Sequence, residues 1–293
     1  MLAALNMTVS ILKLRIGAFI ALAALVGVMT GGGELGTVEA LVFALAVLGA
    51  SGAAGGFNQY YERESDRMMA RTHNRPFASG LLQAGAIWPV TLLALLAAAL
   101  VMAWSVGGTL ATVLVFLGAL TYGVIYTVWL KTRTVWNVVI GGAAGSFAVL
   151  AGAAATAPHF DPVIGPVPLI LAAVLFLWTP PHFWSLAVVR GEDYRRAHIP
   201  MLPVVTEHEV WGPVIFSHVA TLVALSLMPL WFGMGWVYAL FAVAGGVPFL
   251  LAAWRLMHDP ARAVAMRTFR ASLAQFALLS AGVVLDEASR WAF

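Results

Sequence analysis

The segment NQYYERESDRMMARTHNRP, residues 58–76, carries oxygen-bearing and basic side chains at a helical spacing. If this segment is helical, Asn58, Glu62 and Asp66 lie four residues apart on one stripe that covers about 12 Å of the helix axis. Four arginines at the same spacing form a second stripe, about 100° around the helix: Arg63, Arg67, Arg71 and Arg75. Like charges four residues apart destabilise a helix, so separate acidic and basic stripes point to a use other than helix stability.

These two stripes suit two different ligands. Carboxylate and amide oxygens, few in number and supplemented by water, are what Mg²⁺ prefers in proteins. A row of guanidinium groups suits a polyanion such as a phosphate. The spacing therefore fits a magnesium–diphosphate site. It fits equally well a solvated helix end, in which Glu64–Arg67 and Asp66–Arg63 are ordinary ion pairs three residues apart.

A second charged cluster, RGEDYRRAHIPMLP at residues 190–203, mixes its signs. Arg196 stands four residues after Glu192 and three after Asp193, which is the spacing of common surface ion pairs. By itself this pattern favours a solvated surface. Both clusters follow an even-numbered candidate membrane span, so they would face the same side of the membrane and could converge over one cavity.

The elements that would carry these clusters are apolar helices. The chain of 293 residues is 61% hydrophobic and only 10% charged, so its polar side chains cannot cover a water-soluble globule of this size. Its long apolar runs match the roughly 17–25 residues that a helix needs to cross a bilayer, and they lack the alternation of a membrane β-barrel. We therefore predict an all-α membrane protein, with one domain over residues 1–293 and nine candidate spans: 14–30, 39–58, 86–104, 109–130, 136–155, 167–187, 212–232, 236–256 and 271–288.

The basic residues orient this bundle. With nine alternating spans, 15 of the 16 Lys and Arg residues lie on one side of the membrane, and Arg290 lies on the other. By the positive-inside rule the first side is cytoplasmic, and it includes the N-terminus and both charged clusters. The net charge of +3 then reflects topology and implies no nucleic-acid partner. Because no cleavable signal precedes the first span, we expect a location in a bacterial inner membrane.

Three side chains near or within the spans give further expectations. Tyr122 and Tyr126 stand four apart near the end of the fourth span, where they either line a cavity or pack as ordinary aromatic core. His182 follows Pro180-Pro181, so we expect its helix to be broken there and its imidazole to face protein or a cavity.

Several motifs resemble those of a known family. Residues 58–76 resemble the first signature of the intramembrane aromatic prenyltransferase (UbiA-type) superfamily and, through Arg-Thr-x-Asn-Arg-Pro, its heme O synthase (protoheme IX farnesyltransferase) family. Three later segments resemble that family too: YTVWLKTRTVWNVVIGGAAGS (126–146), FLWTPPHFWSLAVV (176–189) and EDYRRAHIPMLPVV (192–205). The resemblance covers most of residues 13–205. It implies about nine transmembrane helices around a central apolar cavity, with the active site at the cytoplasmic side.

The resemblance also implies a reaction. Farnesyl diphosphate loses its diphosphate, the farnesyl carbon joins a vinyl group of heme B, and water completes the side chain of heme O. The cofactor is Mg²⁺, held by Asn58, Glu62, Asp66 and Asp193. The diphosphate is held by four basic residues: Arg71, Arg75, Lys131 and Arg196.

The same resemblance assigns the apolar part of the site. Tyr122 and Tyr126 line the cavity, and His182 lies on the heme side, where imidazole is a usual ligand for iron. Membrane lipid surrounds the enzyme, and a heme A synthase or terminal oxidase assembly is a candidate for contact with it.

Two positions depart from the family pattern. Glu62 stands where the wider superfamily usually has aspartate, which keeps a carboxylate at that place. His198 stands where the pattern D-Y-x-x-A-G-I-P-M-L-P has glycine. We therefore expect an altered turn beside the diphosphate region.

Two other functions compete with this one. A prenyltransferase acting on a quinone or chlorin precursor would share the magnesium chemistry, and the segment Thr179-Pro180-Pro181-His182-Phe183 argues against it. A transporter or channel usually carries charged residues or broken helices near the bilayer midplane. Here the middle of each span is almost free of charge, which disfavours transport.

Overall fold

The computed structural model describes residues 2–157 and 164–291. These residues form helices and turns, and no strand occurs among them. In chain order the α-helices are α1 (Leu2–Ile11), α2 (Leu14–Thr30), α3 (Thr37–Tyr61), α4 (Arg63–Arg67), α5 (Ile87–Leu120), α6 (Asn137–Ala155), α7 (Pro166–Val189), α8 (Gly191–Arg196), α9 (Leu202–Val205), α10 (His208–Leu225), α11 (Trp236–His258) and α12 (Arg262–Trp291). A π-helix, Thr121–Leu130, continues α5, and a short 3₁₀ helix, Met228–Phe232, follows α10.

Length and apolar composition select seven membrane-spanning elements within residues 2–157 and 164–291. Helix α2 is apolar but has only 17 residues, and Ile87–Leu130 is selected once although it has 44. A straight helix of that length would extend about 66 Å, roughly twice the hydrocarbon thickness. Gly108 interrupts it with φ 72°, a conformation that glycine adopts readily, so its two halves can cross separately. The all-α class is confirmed, and the count of nine spans stays a prediction.

Helices α2 and α6 touch through their backbones. A Cβ atom on Gly27 would lie 1.9 Å from the carbonyl oxygen of Val149, and one on Gly152 would lie 1.9 Å from that of Ala24. Small residues allow such close approach in membranes, where packing rather than the hydrophobic effect brings helices together. No side chain fits at either glycine.

The expected break at Pro180-Pro181 is wrong, because α7 is continuous from Pro166 to Val189. The two prolines remove two backbone donors, and a helix tolerates this in a membrane protein when its neighbours pack around it. Both prolines are buried, and α7 packs against α6, α10 and α12. His182 nevertheless faces the protein interior, as expected, with 9% of its surface exposed.

The prediction of one helix over residues 58–75 is also wrong. Helix α3 ends at Tyr61, α4 spans only Arg63–Arg67, and turns follow up to residue 80. After Arg67, the hydroxyl of Thr72 donates to the carbonyl of Asp66 at 3.0 Å, and its N–H donates to the carbonyl of Met69 at 3.0 Å. These bonds fold the chain back, so the four arginines do not form one row.

An apolar cavity lies between α2, α6, α7 and α12. Its walls are mostly aliphatic and aromatic, with Trp178 and Phe276 among them, and Gln275 and Ser280 are the polar lining residues. The lining residues of α7 and α12 are separated along each helix from the helix end that lies near the charged clusters. The bundle therefore combines an apolar interior with a charged end.

Candidate active site

The charged end is built from four separated parts of the chain. They are Lys13 between α1 and α2, the segment 58–80 after α3, the end of the π-helix with Lys131, and α8. Asn58, Glu62, Asp66 and Asp193 are all buried here. The structure thus brings the four predicted oxygen ligands to one end of the bundle, together with three cations.

Glu62 is paired with Lys131. The Nζ atom of Lys131 lies 2.5 Å from Oε2 of Glu62, and both side chains are mostly buried, with 14% and 5% of their surface exposed. The other carboxylate oxygen of Glu62, Oε1, is buried without a hydrogen-bond partner. Removal of two charges from water costs free energy that only a close partner offsets, so the two residues depend on each other.

Asp66 is paired with Arg75. The Nη1 atom of Arg75 donates to both carboxylate oxygens of Asp66, at 2.9 and 2.8 Å. This contact bridges nine residues, across the turn that reverses the chain after α4. The alternative pairing of Asp66 with Arg63 is therefore wrong. The alternative pair Glu64–Arg67 is confirmed, at 2.7 Å on the exposed surface.

Asn58 is hydrogen-bonded to the third cation, Lys13. Lys13 donates to Oδ1 of Asn58 and, at 2.9 Å, to the hydroxyl of Tyr122, while Nδ2 of Asn58 donates to Thr127 at 2.9 Å. Burial, and next the guanidinium of Arg75, lower the pKa of Lys13 to about 7. An anion that joined this cluster would favour the charged form of Lys13.

Asp193 is the ligand candidate contributed by the second charged cluster. It lies on α8, and its Oδ1 accepts a hydrogen bond of 3.1 Å from the N–H of Ala70. This bond connects the second charged cluster to the turn after α4, as the sequence led us to expect. The other oxygen, Oδ2, is buried and has no partner.

The donor set fits a magnesium ion in its chemistry. Two buried carboxylate oxygens without partners, Glu62 Oε1 and Asp193 Oδ2, are the kind of hard ligand that Mg²⁺ takes, and Asn58 and Asp66 add further oxygens. The same carboxylates are engaged with cations in this arrangement. In residues 2–157 and 164–291, no three His, Asp or Glu side chains are gathered closely enough to hold one ion. The magnesium site stays a prediction.

Two predicted diphosphate ligands lie at the edge. Arg71 is exposed in the turn after α4, and Arg196 has 57% of its side chain exposed and pairs with Glu192 at 3.0 Å. Lys131 and Arg75, by contrast, reach into the buried cluster. The structure therefore separates the four predicted basic residues into two inner and two outer ones.

Tyr122 and Tyr126 stack on each other within the π-helix, with ring centroids 6.0 Å apart. The Nζ atoms of Lys13 and Lys131 lie 5.6 and 5.7 Å from the centroids of Tyr122 and Tyr126. The two rings thus form a wall beside the cations. A π-helix is rare and is often found at functional sites, and apolar periodicity does not distinguish it from an α-helix.

Sequence reasoning missed two residues of this site. Lys13 counted only as a basic residue that orients the membrane, although it contacts Asn58. Thr127 was not considered, although it is buried and bridges Asn58 to the carbonyl of Tyr122, at 2.9 and 2.8 Å. A lysine directly before the first span was a usable signal, whereas the threonine gave none.

His198 occupies a turn that favours glycine. Its φ of 53° is left-handed, its N–H donates to the carbonyl of Arg195, and the N–H of Ile199 donates to that of Tyr194. These two bonds form the Schellman motif that ends many helices, here α8, with His198 at the position where glycine is most common. The expectation of an altered turn is therefore wrong: the chain makes the glycine-type turn, and His198 adopts the strained backbone in place of glycine.

Replacement of His198 by glycine is expected to raise the thermal unfolding temperature in detergent. The left-handed conformation costs a residue with a Cβ atom about 1 kcal/mol, and glycine avoids that cost. His198→Ala keeps the Cβ atom and should give no such gain. An equal rise for the alanine variant would show that the imidazole, rather than the backbone, causes the strain.

His182 lies deeper in the bundle than the charged residues. It is seven residues before the end of α7, about 10 Å along the helix axis, and its Nδ1 atom is 2.7 Å from Oγ of Ser272 on α12. This places it between the charged end and the apolar cavity near Trp178.

Comparison with known proteins agrees with this arrangement. Residues 18–279 match the UbiA prenyltransferase family. The chain is 50% identical to protoheme IX farnesyltransferase 2 of Paramagnetospirillum magneticum, with 98% of both chains covered. It is 34% identical to a protoheme IX farnesyltransferase of Granulibacter bethesdensis, with 95% of this chain and 89% of the relative covered.

Solved structures share the fold. A digeranylgeranylglyceryl phosphate synthase structure superposes with a TM-score of 0.79 at 16% identity and covers 97% of this chain and 99% of its own. A UbiA homologue from Archaeoglobus fulgidus bound to GPP and Mg²⁺ gives a TM-score of 0.68 at 16% identity, with 95% and 99% covered. The chain is thus a multi-pass membrane protein of the UbiA prenyltransferase family.

Proposed function

We propose that this protein transfers the farnesyl group of farnesyl diphosphate to a vinyl group of heme B and so makes heme O. The observation that carries the proposal is the buried cluster of Asn58, Glu62, Asp66 and Asp193, which faces three cations at one end of an apolar bundle. Relatives named protoheme IX farnesyltransferase support heme as the acceptor.

The reaction requires that a charged group leave while an apolar group stays. The bond between the farnesyl carbon and the diphosphate oxygen breaks, and its electron pair leaves with the diphosphate. The vinyl group donates an electron pair to the farnesyl carbon and forms the new carbon–carbon bond. Water then adds its oxygen to the remaining vinyl carbon and releases a proton, which completes heme O.

The residues of the charged end stabilise the leaving group. We propose that Asn58, Glu62, Asp66 and Asp193 hold Mg²⁺, and the solved UbiA homologue with GPP and Mg²⁺ supports a metal at such a site. When bound, the ion neutralises charge that grows on the departing diphosphate. Three cations contact these oxygen ligands in the structure and would turn to the diphosphate oxygens: Lys13, Arg75 and Lys131. Arg71 and Arg196 would contact it from the exposed edge.

The apolar side of the site would hold the two apolar reactants, the farnesyl chain and heme B. Tyr122 and Tyr126 lie beside the cations and would line the path of the farnesyl chain. Exclusion of water there strengthens the interaction of each cation with the diphosphate, because the local dielectric constant is low.

We also propose a location and a product route. The excess of Lys and Arg at one end supports a cytoplasmic charged end and N-terminus in a bacterial inner membrane. Farnesyl diphosphate would then arrive from the cytoplasm and its tail would enter from the lipid. Heme O is too apolar to travel through water, which favours its transfer to a heme A synthase or terminal oxidase assembly in the same membrane.

The test is conversion of heme B by the purified protein with farnesyl diphosphate, followed by mass spectrometry of the extracted heme. We expect heme O when Mg²⁺ is present and a loss of product when EDTA removes the ion, with recovery when Mg²⁺ is added back. If a folded, heme-loaded protein makes no heme O, the acceptor assignment is wrong. Quinone precursors would then be the next acceptors to supply.

A further inference from the structure

Asn58 brings an amide to the charged end, and the two ends of an amide have nearly the same shape but opposite chemistry. Its Oδ1 atom can bind a cation, whereas its Nδ2 atom carries two hydrogens and only donates. The side chain is buried, so bulk solvent does not decide which end faces the site. The direction of the amide is therefore set by its neighbours in the protein.

The hydroxyl of Thr127 sets that direction. Oγ1 of Thr127 donates its single hydrogen to the carbonyl of Tyr122 at 2.8 Å, so toward Asn58 it can only accept. It lies 2.9 Å from Nδ2 of Asn58, and Thr127 is itself buried. A reversed amide would break the bond to Tyr122 or set two acceptor oxygens against each other. Nδ2 of Asn58 therefore faces Thr127, and Oδ1 faces the cation cluster, where it accepts from Lys13.

The π-helix presents the hydroxyl in this orientation. Thr127 bonds to the carbonyl five residues before it, which is the spacing of a π-helix. In the α-helices, by contrast, the hydroxyls of Thr91, Thr112 and Thr179 each bond to the carbonyl four residues before them. An α-helix through this segment would direct the hydroxyl of Thr127 to the carbonyl of Gly123 instead.

The contact with Thr127 matters most once substrate is bound. In the structure Lys13 also favours the present orientation, because it donates to Oδ1 of Asn58. In the proposed function, however, Lys13 turns to the diphosphate and no longer holds the amide. Thr127 would then be the neighbour that keeps Nδ2 of Asn58 away from the ion.

We propose that Thr127 is a positioning residue for the metal site, which holds the amide of Asn58 with Oδ1 toward the ion, and that the π-helix directs its hydroxyl there. This assignment rests on the proposed function, which supplies the ion and the diphosphate. Thr127 acts through Asn58 and not on the ion itself. Partners that orient a metal ligand in this way typically change metal affinity or activity by about 10- to 100-fold when they are lost.

Metal binding without turnover tests the assignment. Mn²⁺, which shares the oxygen ligands of Mg²⁺, is titrated into the purified protein in detergent and followed by electron paramagnetic resonance. Heme is left out, and a thio analogue of farnesyl diphosphate that resists loss of its leaving group is present. We expect Thr127→Val, which keeps the shape but lacks the hydroxyl, to weaken Mn²⁺ binding about 10-fold. Thr127→Ser keeps the hydroxyl and should bind as the wild type does.

Thr121→Val is the matched control. Thr121 is buried in the same π-helix, but its side chain makes no hydrogen bond within residues 2–157 and 164–291. Its variant makes the same exchange of a hydroxyl for a methyl group at a distance from Asn58, and its Mn²⁺ affinity should equal that of the wild type. If Thr127→Val folds poorly, Thr127→Ala removes the same hydroxyl with a smaller side chain and should give the same loss.

A change at Asn58 separates orientation from packing. Asn58→Asp has two equivalent oxygens, so its direction cannot be wrong, and in this background Thr127→Val should cause little further loss of Mn²⁺ affinity. An equal loss in both backgrounds would indicate packing and overturn the assignment. An unchanged affinity of Thr127→Val in the wild-type background would overturn it too.

The behaviour of the wild type separates this assignment from the proposed function. Mn²⁺ binding that depends on Thr127, in a protein that converts no heme B, would leave the assignment standing and overturn the transfer to heme. A wild type that binds no Mn²⁺ with the analogue would overturn the metal site and the assignment together.

Discussion

Asp66→Asn is expected to slow heme O formation by about 100-fold or more. The carboxylate of Asp66 is buried, with 2% of its residue surface exposed, and its two oxygens face Arg75. Asparagine has nearly the same shape but no negative charge, so it would hold Mg²⁺ weakly and would not orient the guanidinium. Initial rates at saturating Mg²⁺ and farnesyl diphosphate measure the effect.

Glu64→Gln is the matched control for this change. Glu64 is on the same short helix, has 66% of its side chain exposed, and pairs with Arg67 at the surface. Its variant should have nearly the wild-type rate, because an exposed pair contributes little. If Asp66→Asn keeps a wild-type rate while it folds normally, Asp66 neither holds the metal nor orients Arg75 for the reaction.

Lys131→Met is expected to remove activity and to destabilise the fold by about 3–5 kcal/mol, since it leaves the buried carboxylate of Glu62 without its partner. The methionine fills most of the lysine volume, so packing against Tyr126 should change little. Thermal and denaturant unfolding in a fixed detergent measure the loss of stability, and the heme O assay measures the loss of rate.

The double variant Glu62→Gln/Lys131→Met separates folding from catalysis. Removal of both charges removes the unpaired carboxylate, so most of the lost stability should return, whereas activity should not. If the double variant is as unstable as the sum of the two single changes, Glu62 and Lys131 are not coupled. Recovery of activity would mean that neither side chain takes part in the reaction.

The sequence predicted the class of the fold and the residue types at the charged end. It predicted the arrangement of those residues in space less well. Apolar runs specify membrane helices through a length requirement, and the oxygens at 58, 62, 66 and 193 are indeed buried together at one end. The helices and the oxygens at 58, 62 and 66 follow from residue type and spacing, whereas Asp193 was assigned to the site through the family resemblance. The family resemblance added the acceptor, which no spacing could supply, but it led us to expect an altered turn at His198, where the glycine-type turn is kept.

The errors have a common cause, which is that partners distant in the chain overrode local patterns. Four arginines at helical spacing predicted one stripe, but Arg75 turns back to Asp66 and Arg67 donates to the carbonyl of Ala78. Lys131 reaches Glu62 across 69 residues. No window along the chain reveals such a pair, nor the neighbours that keep α7 helical through Pro180-Pro181.

The pairing within the charged end also explains how buried charges are tolerated there. Each inner cation is matched with a carboxylate or amide oxygen, so no inner cation is without a partner in the low-dielectric interior. Entry of a metal ion with a diphosphate would exchange these partners.

The backbone contact between α2 and α6 limits how this family can exchange parts. Gly27 and Gly152 lie against carbonyl groups of the facing helix, so the surface of each helix must be complementary to the backbone of the other. A chimera that takes α2 alone from a distant relative would bring a mismatched surface to this seam and should assemble poorly. One that takes α2 and α6 together should assemble, which makes the pair, and not the single helix, the unit of recombination.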